Sequence, residues 1–244
     1  MLKPSGQSVS TTSRRVFRGV MKDLEDGRMV PGQRLAETDL ATRFGVGRNA
    51  VREAMQHLAA RGVIDLSRHR SPTIRLLDPA ETMEVLDVAE VMTALATRTA
   101  AERFDPPGHG DLLTSTMDML AEADRIDEPG MFSRARRHFY RALLSIGGNR
   151  ELQRLFPAIG MHIIYAQYQT RQLRGIRLKD YRTIIGVVAR RDLAAAEQAG
   201  RAHVDTVRDI IRARLELQQT EECRCARTPI RPDFCHTTSS IRRP

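Results

Sequence analysis

The sequence contains no tryptophan, and aromatic residues make up only 5% of its 244 residues. It has no run of about eighteen apolar residues and no leader with an apolar core, which argues against membrane spanning and against secretion. Its three cysteines all follow residue 220, so they do not form the spaced framework of a disulfide-rich secreted domain. We therefore expect the protein in a reducing cytoplasm.

Basic residues outnumber acidic ones, giving a formal net charge of +9 and a sequence pI of about 10.3. This charge suits a polyanionic partner such as nucleic acid. The length allows two domains, each with its own core. With few aromatic residues and abundant Ala, Leu, Arg and Glu, the composition predicts a mainly α protein.

The stretch Arg34–Gly62 has the pattern of a helix-turn-helix. A first helix is predicted over Glu37–Phe44 with Leu40 and Ala41 inward, followed by a tight turn at Gly45-Val46-Gly47. A second helix is predicted to begin near Arg48, with four apolar residues at helical spacing on its core side, namely Val51, Ala54, Met55 and Leu58.

The opposite face of the second helix carries Arg48, Asn49 and Arg52, which we predict to contact DNA bases. In the major groove Arg can pair with guanine and Asn with adenine, and the first turns of a recognition helix supply these contacts. The alternative is an ordinary solvated helix face.

The flanking segments favour the DNA-binding interpretation. A Pro-Gly turn precedes the helices, and Val63–Leu76 alternates apolar and polar residues about a short basic turn, which predicts a small hairpin, or wing. We expect further residues to contact the DNA backbone or the minor groove, namely Arg34, Thr38, Arg68, His69 and Arg70.

This region resembles the N-terminal domain of the GntR family of bacterial regulators. The residues that match the family pattern are Pro31, Gly32, Leu35, Glu37, Leu40, Ala41, Gly45, Val46, Arg48, Val51, Arg52, Glu53 and Ala54. The family's usual Ser-Arg-Thr-Pro is Gly47-Arg48-Asn49-Ala50 here, so a different operator preference is expected. The resemblance implies a transcription regulator that binds double-stranded DNA.

We predict a winged helix-turn-helix domain at 14–77, with a first helix over Arg14–Asp26, and a second domain at 78–219. The arms 1–13 and 220–244 are expected to be disordered. Asp78-Pro79 is the predicted hinge. The second domain is predicted to be an all-α bundle of six to seven helices, with limits near Ala80–Phe104, Gly108–Ile126, Pro129–Ile146, Arg150–Gln172, Arg177–Arg190 and Leu193–Gln218.

The second domain resembles the FCD class of effector domains found in the FadR subfamily. The resemblance rests on the segment Phe139–Leu152 and on the region from Asp180 to His203. Most FCD domains hold a divalent metal through one Asp and three His residues. The corresponding positions here are Arg136, Tyr140, Tyr181 and His203.

One imidazole does not hold a transition metal, and Arg136 puts a fixed cation at the metal position, so we predict no metal and no cofactor. The polar groups expected to converge in the bundle are Arg136, Tyr140, His162, Tyr181 and His203. We expect a small organic acid or acyl compound to bind there directly, because a buried guanidinium needs an anionic partner. The alternatives are a filled, silent core and a solvated basic face.

The tail contains Cys223, Cys225, Cys235 and His236, whose spacing is not that of a common zinc site. The pocket residues include no nucleophile with a base, no carboxylate pair and no full metal set, so an enzyme is not expected.

The predicted function is a ligand-responsive regulator, with repression relieved by ligand as the commoner family behaviour. It would bind a palindromic operator as a homodimer, because one recognition helix reads few base pairs. The alternatives are a constitutive DNA-binding protein with a silent second domain and, ranked last, a helical-bundle enzyme.

Overall fold

The computed structural model describes residues 10–66, 71–126 and 128–227. The N-terminal part contains α1 (Thr11–Glu25), α2 (Glu37–Phe44), α3 (Arg48–Ala60), β1 (Ile64–Asp65) and β2 (Thr73–Ile74). The remainder is helical and contains α4 (Pro79–Arg103), α5 (Pro106–Ile126), α6 (Met131–Gly147), α7 (Arg150–Leu155), α8 (Met161–Gln167), α9 (Arg171–Ala189) and α10 (Leu193–Arg227).

The first domain is the predicted winged helix-turn-helix. Gly45 takes up the left-handed conformation, with φ of 58°, where α2 ends, and this allows the tight turn into α3. Strands β1 and β2 pair antiparallel, with Ile64 opposite Ile74. The first helix begins earlier than predicted, because the Oγ of Ser10 accepts a hydrogen bond from the Ser13 amide and caps it.

Apolar faces of the three N-terminal helices form the core of this domain. Val16, Val20 and Leu24 of α1 are buried together with the predicted inward residues of α3, which are Val51, Ala54, Met55 and Leu58. Leu40 of α2 is also buried. The 3.6-residue period therefore identified the inward faces correctly.

The second domain begins at a capping box. Asp78 accepts from the amide of Glu81, and the Glu81 carboxylate accepts from the amide of Asp78, so two free donors at the start of α4 are satisfied. Pro79 occupies the first turn, where it needs no amide donor. Helix α4 packs extensively against both α10 and α6, and these contacts build the bundle.

The prediction of one helix over Arg150–Gln172 was wrong. The segment is split into α7, a 3₁₀ turn over Phe156–Ala158 and α8. Pro157 lacks the amide donor that would continue the α7 hydrogen bonds, and Gly160 has a positive φ of 77°. The predicted start of the next helix at Arg177 was also wrong, because α9 begins at Arg171.

The last helix ends later than predicted, since α10 continues beyond Gln218 to Arg227. The remaining tail residues, including Cys235 and His236, lie outside the described part of the chain, as do residues 1–9. Within the described ranges, no helix is both long enough and apolar enough to cross a bilayer.

One hydrophobic cluster extends across both domains. Buried residues of the first domain, such as Val16 and Leu77, belong to the same cluster as Leu86 of α4 and Ile163 of α8. The side chain of Gln167 bonds both the amide and the carbonyl of Leu77, at 3.2 and 2.9 Å. The winged helix is therefore packed directly against the bundle rather than joined to it by a linker alone.

Candidate DNA interface and arginine cavity

The recognition helix presents polar side chains to solvent. Arg48, Asn49 and Arg52 are all exposed on α3, opposite its buried face. The Nε of Arg52 donates to both carboxylate oxygens of Glu37, at 3.0 and 2.9 Å. This pair connects the two helices of the motif and fixes the direction of the guanidinium.

Other polar contacts hold the motif against α1. The amide and hydroxyl of Ser10 each donate to the Glu53 carboxylate at 3.1 Å, which turns Glu53 towards α1. Arg15 donates to the carbonyls of Phe44 and Gly45, at 2.9 and 3.2 Å. These bonds satisfy carbonyls at the end of α2 and position the turn before α3.

Two of the predicted backbone-contacting residues are described, and both are exposed. Arg34 forms an isolated antiparallel bridge with Thr73 and therefore lies beside the wing, while Thr38 lies in the first turn of α2. The predicted contacts Arg68, His69 and Arg70 lie outside the described residues.

Four of the five predicted pocket residues are buried inside the bundle, namely Arg136, Tyr140, Tyr181 and His203. The rings of Tyr140 and Tyr181 pack edge to face at 5.9 Å, and the ring of His203 lies 5.0 Å from that of Tyr181. The ring of Phe139 stacks on that of Tyr181, with 4.1 Å between the ring centres. Aromatic rings thus fill the interior around three of the predicted residues.

The buried His203 forms a hydrogen bond with Asp180. Its Nδ1 lies 2.9 Å from Oδ2 of Asp180. In neutral His203 the Nδ1–H group donates to this carboxylate oxygen. Burial lowers the pKa of His203, although Asp180 opposes the shift. Burial also raises the pKa of Tyr140 and of Tyr181 well above the usual value, so both phenols are neutral.

A cavity of about 450 Å³ opens beside this aromatic cluster. Arg136 from α6, Tyr165 from α8 and Arg177 from α9 form its buried wall. The guanidinium carbon of Arg136 lies 3.1 Å from the centre of the Tyr165 ring, and that of Arg177 lies 4.3 Å from it. Two cations therefore contact one aromatic ring.

Neither arginine forms an ion pair within the part of the chain that the structure describes. The Nε of Arg136 and the Nε and Nη2 of Arg177 are buried without a hydrogen-bond acceptor among the described residues. Burial lowers the pKa of Arg177, and the neighbouring Arg136 adds to the shift. Since an unpaired buried charge is costly, this arrangement favours an anion in the cavity.

These residues do not fit the divalent metal of most FCD domains. Arg136 is a cation at the position of the family's Asp, and the phenols of Tyr140 and Tyr181 are held protonated by burial. The Nδ1 of His203 is hydrogen-bonded to the carboxylate of Asp180. Neutral phenols beside a guanidinium do not make a metal site.

His162 lies away from the arginine cavity. It lines a smaller space of about 210 Å³ between α1 and α6, together with Glu25, Arg136 and Tyr140. Burial lowers the pKa of His162 to about 4, and the positive charge of Arg136 contributes. His162 and the buried His203 therefore do not share one pocket, which differs from the predicted arrangement.

Sequence analysis missed Arg177, Tyr165 and Asp180. Arg177 lies on the inward stripe of α9 with Leu173, Tyr181, Ile184 and Val188, and this 3–4 spacing was the available signal. Because the predicted helix began at Arg177, this residue was not recognised as part of the stripe. Tyr165 ends the buried run Ile163-Ile164-Tyr165, whose position could not be assigned while the helix break was unrecognised.

Two family profiles match the chain and together cover most of it. Residues 12–74 match the gntR family of bacterial regulatory proteins, and residues 84–206, half of the chain, match the FCD domain. The chain belongs to the FCD-containing gntR regulators. The predicted FadR-type architecture is thereby confirmed, with a helix-turn-helix domain followed by an all-helical effector domain.

Relatives extend over nearly the whole chain. The HTH-type transcriptional regulator Mce2R of Mycobacterium tuberculosis is 25% identical over 230 residues, covering 85% of this chain and 94% of its own. The Nta operon transcriptional regulator of Aminobacter aminovorans is 24% identical over 188 residues, covering 75% of this chain and 88% of its own. Both are named as transcriptional regulators, not as enzymes.

Solved structures share the fold. A GntR regulator from Rhodococcus sp. RHA1 superposes with a TM-score of 0.72 at 20% identity, covering 84% of this chain and 99% of its own. E. coli McbR/YncC superposes with a TM-score of 0.71 at 17% identity and the same coverage. These likenesses show that the regulator shares its fold, from the DNA-binding domain to the helical bundle, with both proteins.

Proposed function

We propose that this regulator represses transcription as a homodimer on a two-fold symmetric operator, and that a small organic acid bound directly at Arg136 releases it. The observation that carries the proposal is the Nε of Arg136, which is buried beside an open cavity and has no hydrogen-bond acceptor among the described residues. A carboxylate would supply the missing bidentate acceptor without a bridging metal.

The proposed operator contacts follow from exposure on the recognition helix. Arg48, Asn49 and Arg52 are the base-reading side chains, and Arg34 and Thr38 contact the backbone. The Glu37 carboxylate aligns Arg52 for a bidentate contact with guanine, since it holds the Nε side of the guanidinium. The contacts of Arg68, His69 and Arg70 in the wing remain part of the proposal.

The proposed dimer uses the outer face of α4. Val88, Val91 and Leu95 recur at helical spacing and are 50%, 56% and 41% exposed. Glu84 lies seven residues before Val91, and Arg98 lies seven residues after it. A two-fold axis at Val91 would place each Glu84 opposite the Arg98 of a second copy, so this face is self-complementary.

Acid binding is proposed to act on the winged helix through α6. Arg134 and Arg137 of this helix pair with Asp26 and Glu25 at the end of α1. They flank Arg136, which faces the cavity. An anion that pulls on Arg136 would therefore move residues that contact the DNA-binding domain, and it would change the spacing of two winged helices in a dimer.

One observation favours a silent second domain instead. The stack of Tyr140, Tyr181 and Phe139 fills the interior where most FCD domains hold a metal. In that case operator binding would be constitutive. The two candidates differ only in whether an acid changes operator affinity.

The test is selection of operator sites from random duplexes by the full chain, followed by fluorescence anisotropy with the selected duplex. We expect an inverted repeat and a salt-dependent affinity. Adding small carboxylates should lower the affinity for the selected site. Selection of an unrepeated site would overturn the dimer proposal, and an affinity unaffected by every acid would favour the silent domain.

A further inference from the structure

The arginine cavity holds more positive charge than a single carboxylate neutralises. Arg136 and Arg177 are only 8% and 4% exposed, and both guanidinium groups contact the ring of Tyr165. They reach this ring from different helices, α6 and α9, so two separate parts of the bundle converge on one point. The site is built by tertiary structure rather than by a local motif.

Within the described part of the chain, no carboxylate forms an ion pair with Arg136 or Arg177, and Glu25, whose pKa the charge of Arg136 lowers, is paired with Arg137. Glu128 lies at the exposed rim and makes no ion pair with either arginine, within the ranges that the structure covers. The Asp180 carboxylate accepts from His203, and this imidazole is held neutral by burial. Tyr140 and Tyr181 are neutral, so the buried wall carries two positive charges that have no ion-pair partner among the described residues.

We propose that the effector is a small dianion, either a dicarboxylate or a phosphate monoester, which places negative oxygens against both Arg136 and Arg177. Each guanidinium then gains a charge-assisted pair, and the buried charge is balanced. For its regulatory consequence this inference rests on the proposed function. The binding itself does not depend on DNA.

The rest of the cavity fits a compact acid. Its volume of about 450 Å³ is within the range of small-molecule sites. Thr170, which caps α9, and the first turn of that helix also line it, so the positive end of a 19-residue helix faces the anion. Phe132 and Ser133 supply an apolar wall and a hydroxyl.

Tyr165 provides a spectroscopic reporter of the same charges. Burial raises its pKa, but the guanidinium groups of Arg136 and Arg177, together with the phenols of Tyr140 and Tyr181, bring the pKa of Tyr165 below its usual value. A bound dianion would screen both cations. The pKa of Tyr165 should therefore rise when the cavity is occupied.

The test is isothermal titration of the full chain near pH 7 with succinate, with monomethyl succinate as the singly charged analogue, and with phenyl phosphate. Losing one of two charge-assisted contacts should weaken binding about tenfold, so we expect succinate or phenyl phosphate to bind at least that much more tightly than the monoester. The dianion that binds more tightly shows whether the effector is a dicarboxylate or a phosphate monoester. When this dianion is bound, the tyrosinate absorbance of Tyr165 should appear at a higher pH than in the free protein.

Two variants complete the design. Arg177→Met should abolish the preference for the dianion, and Arg182→Met, which removes an exposed charge from the same helix, should retain it. Equal affinities for succinate and its monoester in the unaltered protein would overturn the dianion while leaving the carboxylate site of the proposed function. Binding of neither dianion would overturn both. A response of operator binding to monocarboxylates alone would support the proposed function and contradict this inference.

Discussion

The Nη1 of Arg134 donates to Oδ1 of Asp26 across 2.7 Å and joins the bundle to the DNA-binding domain. Asp26 ends α1, and it lies so close to Gly130 that a Cβ there would be 2.7 Å from its Cα. Gly130 also lines the arginine cavity. The start of α6 therefore touches the effector cavity on one side and the winged helix on the other.

This relationship predicts the phenotype of Arg134→Met. Asp26 keeps its ion pairs with Lys22 and Arg28, so the first domain should fold and bind operator normally. The acid-induced change in operator affinity should shrink by about tenfold, because coupling between sites of this kind amounts to a few kcal/mol. Anisotropy with and without acid measures it. Arg125→Met, which breaks a pair within α5, is the control, and full retention of the response would contradict the route.

Arg52→Ala should abolish specific operator binding, because the loss of a bidentate base contact costs about 1–3 kcal/mol per half-site. The thermal midpoint should change little, since the Arg52 side chain is 62% exposed and an exposed ion pair contributes little stability. Arg182→Ala on the bundle removes the same charge far from the motif. Normal binding by Arg52→Ala would refute the recognition-helix assignment.

Arg136→Met should remove the acid response and stabilise the protein in the absence of acid. The variant replaces a buried guanidinium that has no ion-pair partner among the described residues with an apolar side chain of similar length. Calorimetry should show a higher melting temperature, and operator affinity without acid should be unchanged. A marked loss of stability would mean that Arg136 has a structural partner and would argue against a ligand role.

Local patterns predicted the first domain closely. The turn glycine, the inward positions of α3 and the alternation about the wing each depend on residues near one another in sequence, and all were confirmed. The helix limits failed where a capping or helix-breaking residue decided them, because the apolar period does not register such residues. Ser10 extended α1, and Pro157 with Gly160 divided a segment whose apolar period looked continuous.

The site was harder to predict because its components come from separate helices. Arg136 could be found from the family's metal position, but Arg177 becomes meaningful only when α6 and α9 are seen to meet at Tyr165. His162 lines the space beside α1 instead. Spacing within one helix carries no information about such convergence.

The α4 face predicts a charge-dependent dimer. Val91→Glu should shift the protein to monomers in sedimentation experiments and weaken operator binding, because it places two like charges together on the proposed two-fold axis. Met119→Glu, which adds the same charge at an exposed apolar position of α5, is the control.

A charge exchange tests the register of this face. Glu84→Arg alone should weaken the dimer by juxtaposing it with Arg98, and adding Arg98→Glu should restore it, since the pairs are re-formed in the opposite sense. Dimers that persist in Val91→Glu, or a double variant weaker than either single one, would assign the interface elsewhere.

Acid should destabilise the protein partly through His162. Its pKa is about 4 when folded and about 6.5 when unfolded, so the unfolded chain binds a proton that the folded chain excludes. The corresponding stability is present above pH 6.5 and is lost as pH falls towards 4, by up to about 3 kcal/mol. Glu25, whose pKa is raised chiefly by burial, acts in the opposite sense at the acid end.

Urea unfolding of the unaltered protein and of His162→Gln between these pH values isolates the contribution of His162, because the difference between the two unfolding free energies depends on this histidine. Parallel pH profiles would show that His162 is protonated as readily in the folded protein as in the unfolded chain.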